Sequence, residues 1–68
     1  MKTIKIDTEF IKLGQLLKMA GLVESGAHAK IMIVNGEIKL NGNIEMQRGK
    51  KVYKGDVVEA EGHSYRVE

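Results

Sequence analysis

Apolar positions alternate at the start of the chain and then change to helical spacing. Residues 2–6, Lys-Thr-Ile-Lys-Ile, are β-branched and partly alternating, and Asp7-Thr8 follows with residues that favour a turn or a helix cap. The pattern predicts a short strand there. From Leu13 the apolar positions Leu13, Leu16, Leu17 and Ala20 share one helix face, with Lys12, Gln15 and Lys18 on the other. A first helix of about two turns is predicted, with Gly21 as its C-terminal stop.

Residues 25–36 admit two readings. As a helix, Ser25 is the N-cap, Ala29, Met32 and Ile33 form an apolar stripe, and Asn35-Gly36 supplies a left-handed C-cap. As a strand, Ile31-Met32-Ile33-Val34 is β-rich, and Asn35-Gly36 ahead of Glu37-Ile38-Lys39-Leu40 is a two-residue hairpin signal. Propensity alone favours the hairpin slightly. The lead-in Ser25-Gly26-Ala27-His28-Ala29-Lys30, capped and containing alanine, favours the helix, because a strand has no need of it.

The second half of the chain reads as β structure. Glu37–Leu40 alternates, Asn41-Gly42 turns, and Val57–Ala60 is positioned to pair with Ser64–Val67 across a turn at Glu61-Gly62-His63. All eight glycines fall from Gly14 onward and punctuate this order, with no repeat or low-complexity tract. The expectation is an α+β domain spanning residues 1–68: one strand, two short helices, then a small sheet.

Composition narrows what such a domain does. A chain of 68 residues has room for one core, and at this size folding hides only about 60% of the unfolded surface, so function belongs on the outside. The absence of cysteine excludes a disulfide framework and any thiolate zinc site. Stability must come from aliphatic packing: seven Ile, six Val and five Leu stand against one Phe and two Tyr. No apolar run approaches the roughly 18 residues of a membrane span, and the alternating start is unlike a signal peptide, so a cytoplasmic protein without a membrane partner is expected.

Charge adds a direction. The formal net charge is only +2, yet residues 1–55 hold ten Lys/Arg against five Asp/Glu while residues 56–68 hold one against four. A basic body with an acidic edge suits a polyanion approached from one side. The densest feature is Arg48-Gly49-Lys50-Lys51 with Lys54 behind it, where a glycine lets backbone come close to a phosphate. A solvated charged loop would account for this run equally well. Gly26, Ala27 and His28 at the start of the second helix offer backbone amides beside Ser25, an arrangement that either holds an anion or merely caps the helix.

Other chemistry finds little support. His28 and His63 have no ligand spacing to each other or to cysteine, so no metal or other cofactor is expected. Ser25 and His28 share a helix face but lack an orienting acid and an oxyanion hole. Gly49-Lys50-Lys51 lacks the glycine spacing of a nucleotide-binding loop. Tyr53 and Tyr65 read as cross-strand residues rather than base-stacking ones. With no converging acid, base and pocket, neither an enzyme nor a small-molecule substrate is expected.

Lys12-Leu13-Gly14-Gln15-Leu16-Leu17, Gly21-Leu22 with Ser25 and Ala29, Gly36-Glu37-Ile38-Lys39-Leu40-Asn41-Gly42 and Gly55-Asp56-Val57-Val58 together resemble the alpha-L RNA-binding domain family, first named from ribosomal protein S-four. Ile6-Asp7-Thr8-Glu9, Glu24-Ser25-Gly26 and Arg48-Gly49-Lys50-Lys51 are similar to its short stand-alone bacterial members, the YaaA and YbcJ type. The resemblance implies an alpha-L fold, two short packed helices against a small, mainly antiparallel L-shaped sheet, with residues 26–34 as the second helix. It also implies a non-catalytic binder of structured RNA, ribosomal RNA above all, associated with ribosomal subunits or their assembly.

On that reading the RNA-binding residues are Lys12, Lys18, Ser25, His28, Lys30, Lys39, Arg48, Lys50 and Lys51. The alternative is a protein-interaction module using the acidic edge Asp56, Glu59, Glu61 and Glu68 or an aliphatic surface. Two departures from the family pattern stand out. Lys12-Leu13-Gly14 replaces the usual Arg-Leu-Asp, and Ser25-Gly26 replaces the usual Ser-Arg.

Overall fold

Strand β1, Lys2–Ile4, opens the chain, and β2, Phe10–Lys12, runs without a break into helix α1, Leu13–Met19. The computed structural model describes residues 1–68. Helix α2, Gly26–Val34, follows, and then β3 (Ile38–Leu40), β4 (Asn43–Ile44), β5 (Lys51–Tyr53), β6 (Val57–Ala60) and β7 (His63–Val67). None of the helices is long and apolar enough to cross a membrane.

Residues 25–36 take the helical reading. Ser25 is extended, and its hydroxyl accepts from the His28 amide at 3.2 Å. Both helices end in the same six-residue motif. Leu22 N–H donates to Leu17 O and Gly21 N–H to Lys18 O, each at 3.0 Å; Glu37 N–H and Gly36 N–H repeat this with Met32 O and Ile33 O at 3.1 and 3.0 Å. Only the glycine is left-handed, with φ +76° at Gly21 and at Gly36, whereas Asn35 stays right-handed. The predicted Asn35-Gly36 cap is therefore Gly36 alone.

Two sheets form instead of the one expected. The larger has the order β1-β7-β6-β3-β4, antiparallel throughout except that β1 pairs parallel with β7. A parallel neighbour needs a crossover, and here the whole intervening domain provides it. The smaller sheet joins β2 to β5 antiparallel, with Ile11 opposite Val52 and Phe10 opposite Tyr53. Strand β1 stops at Ile4, short of the predicted Ile6, although Ile6 N–H still reaches Glu68 O at 2.7 Å.

Two-residue turns set the hairpin registers. Asn41 and Gly42 have φ +50° and +87°, and Glu61 and Gly62 have +53° and +78°, the paired left-handed geometry that matches strand twist. Because His63 pairs with Ala60, the second turn is one residue shorter than predicted. Asp56 closes the turn after β5: its carboxylate accepts from Tyr53 N–H at 2.8 Å and from Asn41 Nδ2 at 3.1 Å.

The core lies between the helices and the larger sheet. Leu13, Leu16 and Leu17 of α1 and Ala29, Met32 and Ile33 of α2 meet Ile38, Val58, Ala60 and Val67, and Ile11 and Val52 extend the cluster into the smaller sheet. Leu17 is fully buried. Leu17→Ala should therefore cost about 3 kcal/mol, a large part of the stability available to so small a domain. Urea unfolding followed by circular dichroism checks this; a loss below about 1 kcal/mol would mean that the site collapses around the cavity.

Candidate nucleic-acid interface

Helix α1 begins at Lys12 with no side-chain cap. Its first two amides are instead satisfied by the turn ahead of β5, since Leu13 N–H donates to Lys50 O at 2.9 Å and Gly14 N–H to Arg48 O at 3.0 Å. Lys50 N–H closes that turn onto Gln47 O at 3.2 Å. Pairing of β2 with β5 brings the turn to the helix, and the unsatisfied amides of the first helical turn hold it there. The basic run is thus anchored to the helix by its own backbone.

Arg48 lies across this junction. Its guanidinium Nη1 donates to Gly26 O at the start of α2, at 3.3 Å. Its aliphatic stem crosses Gly14 so closely that a Cβ placed there would sit 2.7 Å from Arg48 Cγ. Glycine in a helix normally costs about 0.5–1 kcal/mol relative to alanine. Here it makes room for the arginine.

Around Arg48 runs an open groove of about 390 Å³, lined by Lys12, Gly14, Gln15, Lys18, Gly26, Arg48 and Gly49. It has three cations, no carboxylate and no apolar side chain. Gly26 contributes the first turn of α2, whose end carries partial positive charge. Nothing in the lining offsets the mutual repulsion of the cations, and a bound anion would.

The predicted residues divide around this groove. Lys12, Lys18 and Arg48 line it, and Lys30 shares a neighbouring hollow with Arg48. Lys50 and Lys51 line a separate hollow beside Asn41, Tyr53 and Asp56; Lys51 stands opposite Lys12 in the smaller sheet, and its ammonium sits 4.7 Å from the centre of the Phe10 ring. Lys39 is set apart. It is opposite Glu59 in the sheet, beside Glu37 and Glu61.

Ser25 caps α2 as predicted but consumes the His28 amide in doing so, leaving those of Gly26 and Ala27; the His28 side chain is exposed and lines none of these surfaces. Gly49 lines the groove within the basic run, as its place there suggests, whereas Gly14 and Gln15 are not among the predicted residues. Gly14 had a signal, a glycine placed in the first turn of a helix without a conformational reason.

If Gly14 is kept small for Arg48, Gly14→Ala should lose stability instead of gaining the usual increment, because the arginine stem must swing off Gly26. In an Arg48→Ala background the same change should stabilise by about 0.5–1 kcal/mol. A urea double-mutant cycle measures the difference. Equal effects of Gly14→Ala in both backgrounds would show that the two residues are not coupled.

Comparison with known proteins bears on the family and the fold. Residues 4–68 match the model of the S4 domain family. A Bacillus subtilis (strain 168) protein named "Probable ribosome maturation protein RlbA" is 49% identical over 59 residues, covering 87% of this chain and 83% of its own. YbcJ of Escherichia coli (strain K12) is 42% identical over 57 residues, covering 84% of this chain and 81% of its own. The solution structure of E. coli YbcJ, described as revealing an alfaL motif involved in RNA-binding, superposes with a TM-score of 0.73 at 38% identity, covering 98% of this chain and 86% of that one. With its two packed helices, its mixed and antiparallel sheets and a match from Ile4 to the last residue, this chain belongs to the S4 domain family and has the alpha-L fold.

Proposed function

We propose that this protein binds structured RNA without catalysis, that ribosomal RNA is its main target, and that it acts on ribosomal subunits or during their assembly in the cytoplasm. The observation that carries this reading is the groove with Lys12, Lys18 and Arg48 and no carboxylate. Regularly spaced phosphates satisfy such a surface, and proteins read folded RNA largely through its backbone and shape. A ribosomal target is supported by the name of the Bacillus subtilis relative, and RNA binding by the alfaL motif of the YbcJ structure.

Lys30, one step from the groove on α2, supplies a fourth cation on the same side. Lys50 and Lys51 serve as outer contacts for RNA that extends past the turn, and the Ser25 cap holds the first turn of α2 in place. The protein-module alternative is weaker, because the Asp56 carboxylate of the acidic edge is already engaged in internal hydrogen bonds.

For a short duplex that does not reach Lys50 and Lys51, the four contacts of Lys12, Lys18, Lys30 and Arg48 predict that log affinity falls with log salt at a slope of roughly −3.5. Fluorescence anisotropy with ribosomal RNA fragments measures it. Lys12→Gln/Lys18→Gln/Arg48→Gln, shown by circular dichroism to be folded, should flatten the slope to roughly −1, while Lys39→Gln leaves it unchanged. On ribosome gradients the wild type should travel with a subunit and the triple variant should not. A flat salt response overturns RNA binding; steep binding without co-migration overturns the ribosomal target alone.

A further inference from the structure

The second hollow differs in chemistry from the groove it adjoins. It has a volume of about 270 Å³ and is lined by Lys30, Ile33, Val34, Met46, Arg48 and Gly49. The two share Arg48 and Gly49, so the arginine that lines the cationic groove also bounds the hollow. Three of its six lining residues are apolar, and the other groove has none. Val34 and Met46 are 55% and 54% exposed, so the apolar wall of the hollow is open to a ligand.

We infer that this hollow is a subsite for one unpaired nucleobase of the RNA whose phosphates lie in the Lys12–Lys18–Arg48 groove. The inference rests on the RNA-binding reading and adds a substrate class to it: RNA with a bulged or looped-out nucleotide beside a helical stem. Within a double helix the flat apolar faces of the bases are stacked and covered. An unpaired base presents such a face directly next to its own phosphates, and the hollow places an apolar wall next to the phosphate groove in the same way.

The cations at its edge carry the argument further. Lys30 and Arg48 suit the phosphates on either side of an extruded base. Arg48 donates to Gly26 O and packs on Gly14, which restrains the arginine at this edge before RNA arrives, whereas Lys30 extends into solvent. A protein partner would have to cover Val34 and Met46 while giving up both of these cations to RNA or displacing it.

Two RNA hairpins with identical stems, one fully paired and one with a single bulged nucleotide, test the subsite. By anisotropy the wild type should bind the bulged hairpin roughly five- to tenfold more tightly, as covering about 50 Å² of apolar surface would give. Val34→Ala/Met46→Ala should lose that preference and bind the paired hairpin as the wild type does. Methyl-detected NMR of the wild type gives an answer that needs no variant: the bulged hairpin should shift the Val34 and Met46 methyl signals, and the paired one should not. Equal wild-type affinity for both hairpins, or methyl signals that neither RNA moves, overturns the subsite while leaving RNA binding intact. Failure to bind either hairpin overturns both.

Discussion

The turn over residues 47–50 and the first turn of α1 satisfy each other. The helix starts on a lysine whose side chain does not cap it, so its first two amides need acceptors, and Arg48 O and Lys50 O provide them. The turn holds four residues between the extended chain and β5, and this anchoring keeps it against the helix. Everything that gives the groove its character follows from the contact. Moving the turn would take Arg48 away from Gly14 and Gly26, and Lys12 and Lys18 would then line an ordinary helix face.

The fold around that contact relies on terminators and turns more than on long elements. Its helices have seven and nine residues, too short to persist alone in water, and its strands have two to five. Identical glycine stops end both helices, and two-residue left-handed turns fix both hairpins, so each short element starts and ends at a defined residue. The aliphatic cluster then holds the elements together, which leaves the polar outer surface free to vary.

What the sequence made legible tracks the strength of local signals. α1, α2 and the β6–β7 hairpin were readable, since helical spacing, a serine cap and alternating strands each mark themselves locally. Asn-Gly occurs twice and meant different things: before Glu37 it ends a helix, and after Leu40 it turns a hairpin. The capped lead-in from Ser25 was the clue that separated them. β2 and β4 left no trace, and β5 only Tyr53 as a cross-strand residue, because two or three residues are too few to show a period and their pairing is set by distant partners. The candidate site was readable as a list of cations but not as a surface. Lys39 has the same charge as Lys18, and only the strand register that sets it opposite Glu59 takes it out of the groove.

The two departures from the family pattern now have a common physical reading. Both put glycine where the family commonly has a larger residue, Gly14 for an aspartate and Gly26 for an arginine, and both glycines touch Arg48. The stem of Arg48 occupies the space above Gly14, and a Cβ at Gly26 would lie 3.6 Å from its Nη1. An aspartate at 14 would collide with that stem, and an arginine at 26 would bring a second guanidinium to the first. A guanidinium delivered from the turn thus stands beside the place from which the family's helix arginine would extend. Losing the aspartate also leaves the groove without a carboxylate. Gly14 and Gly26 thus serve one arrangement in this chain: both leave room for a guanidinium that the turn capping α1 delivers to the junction of the helices.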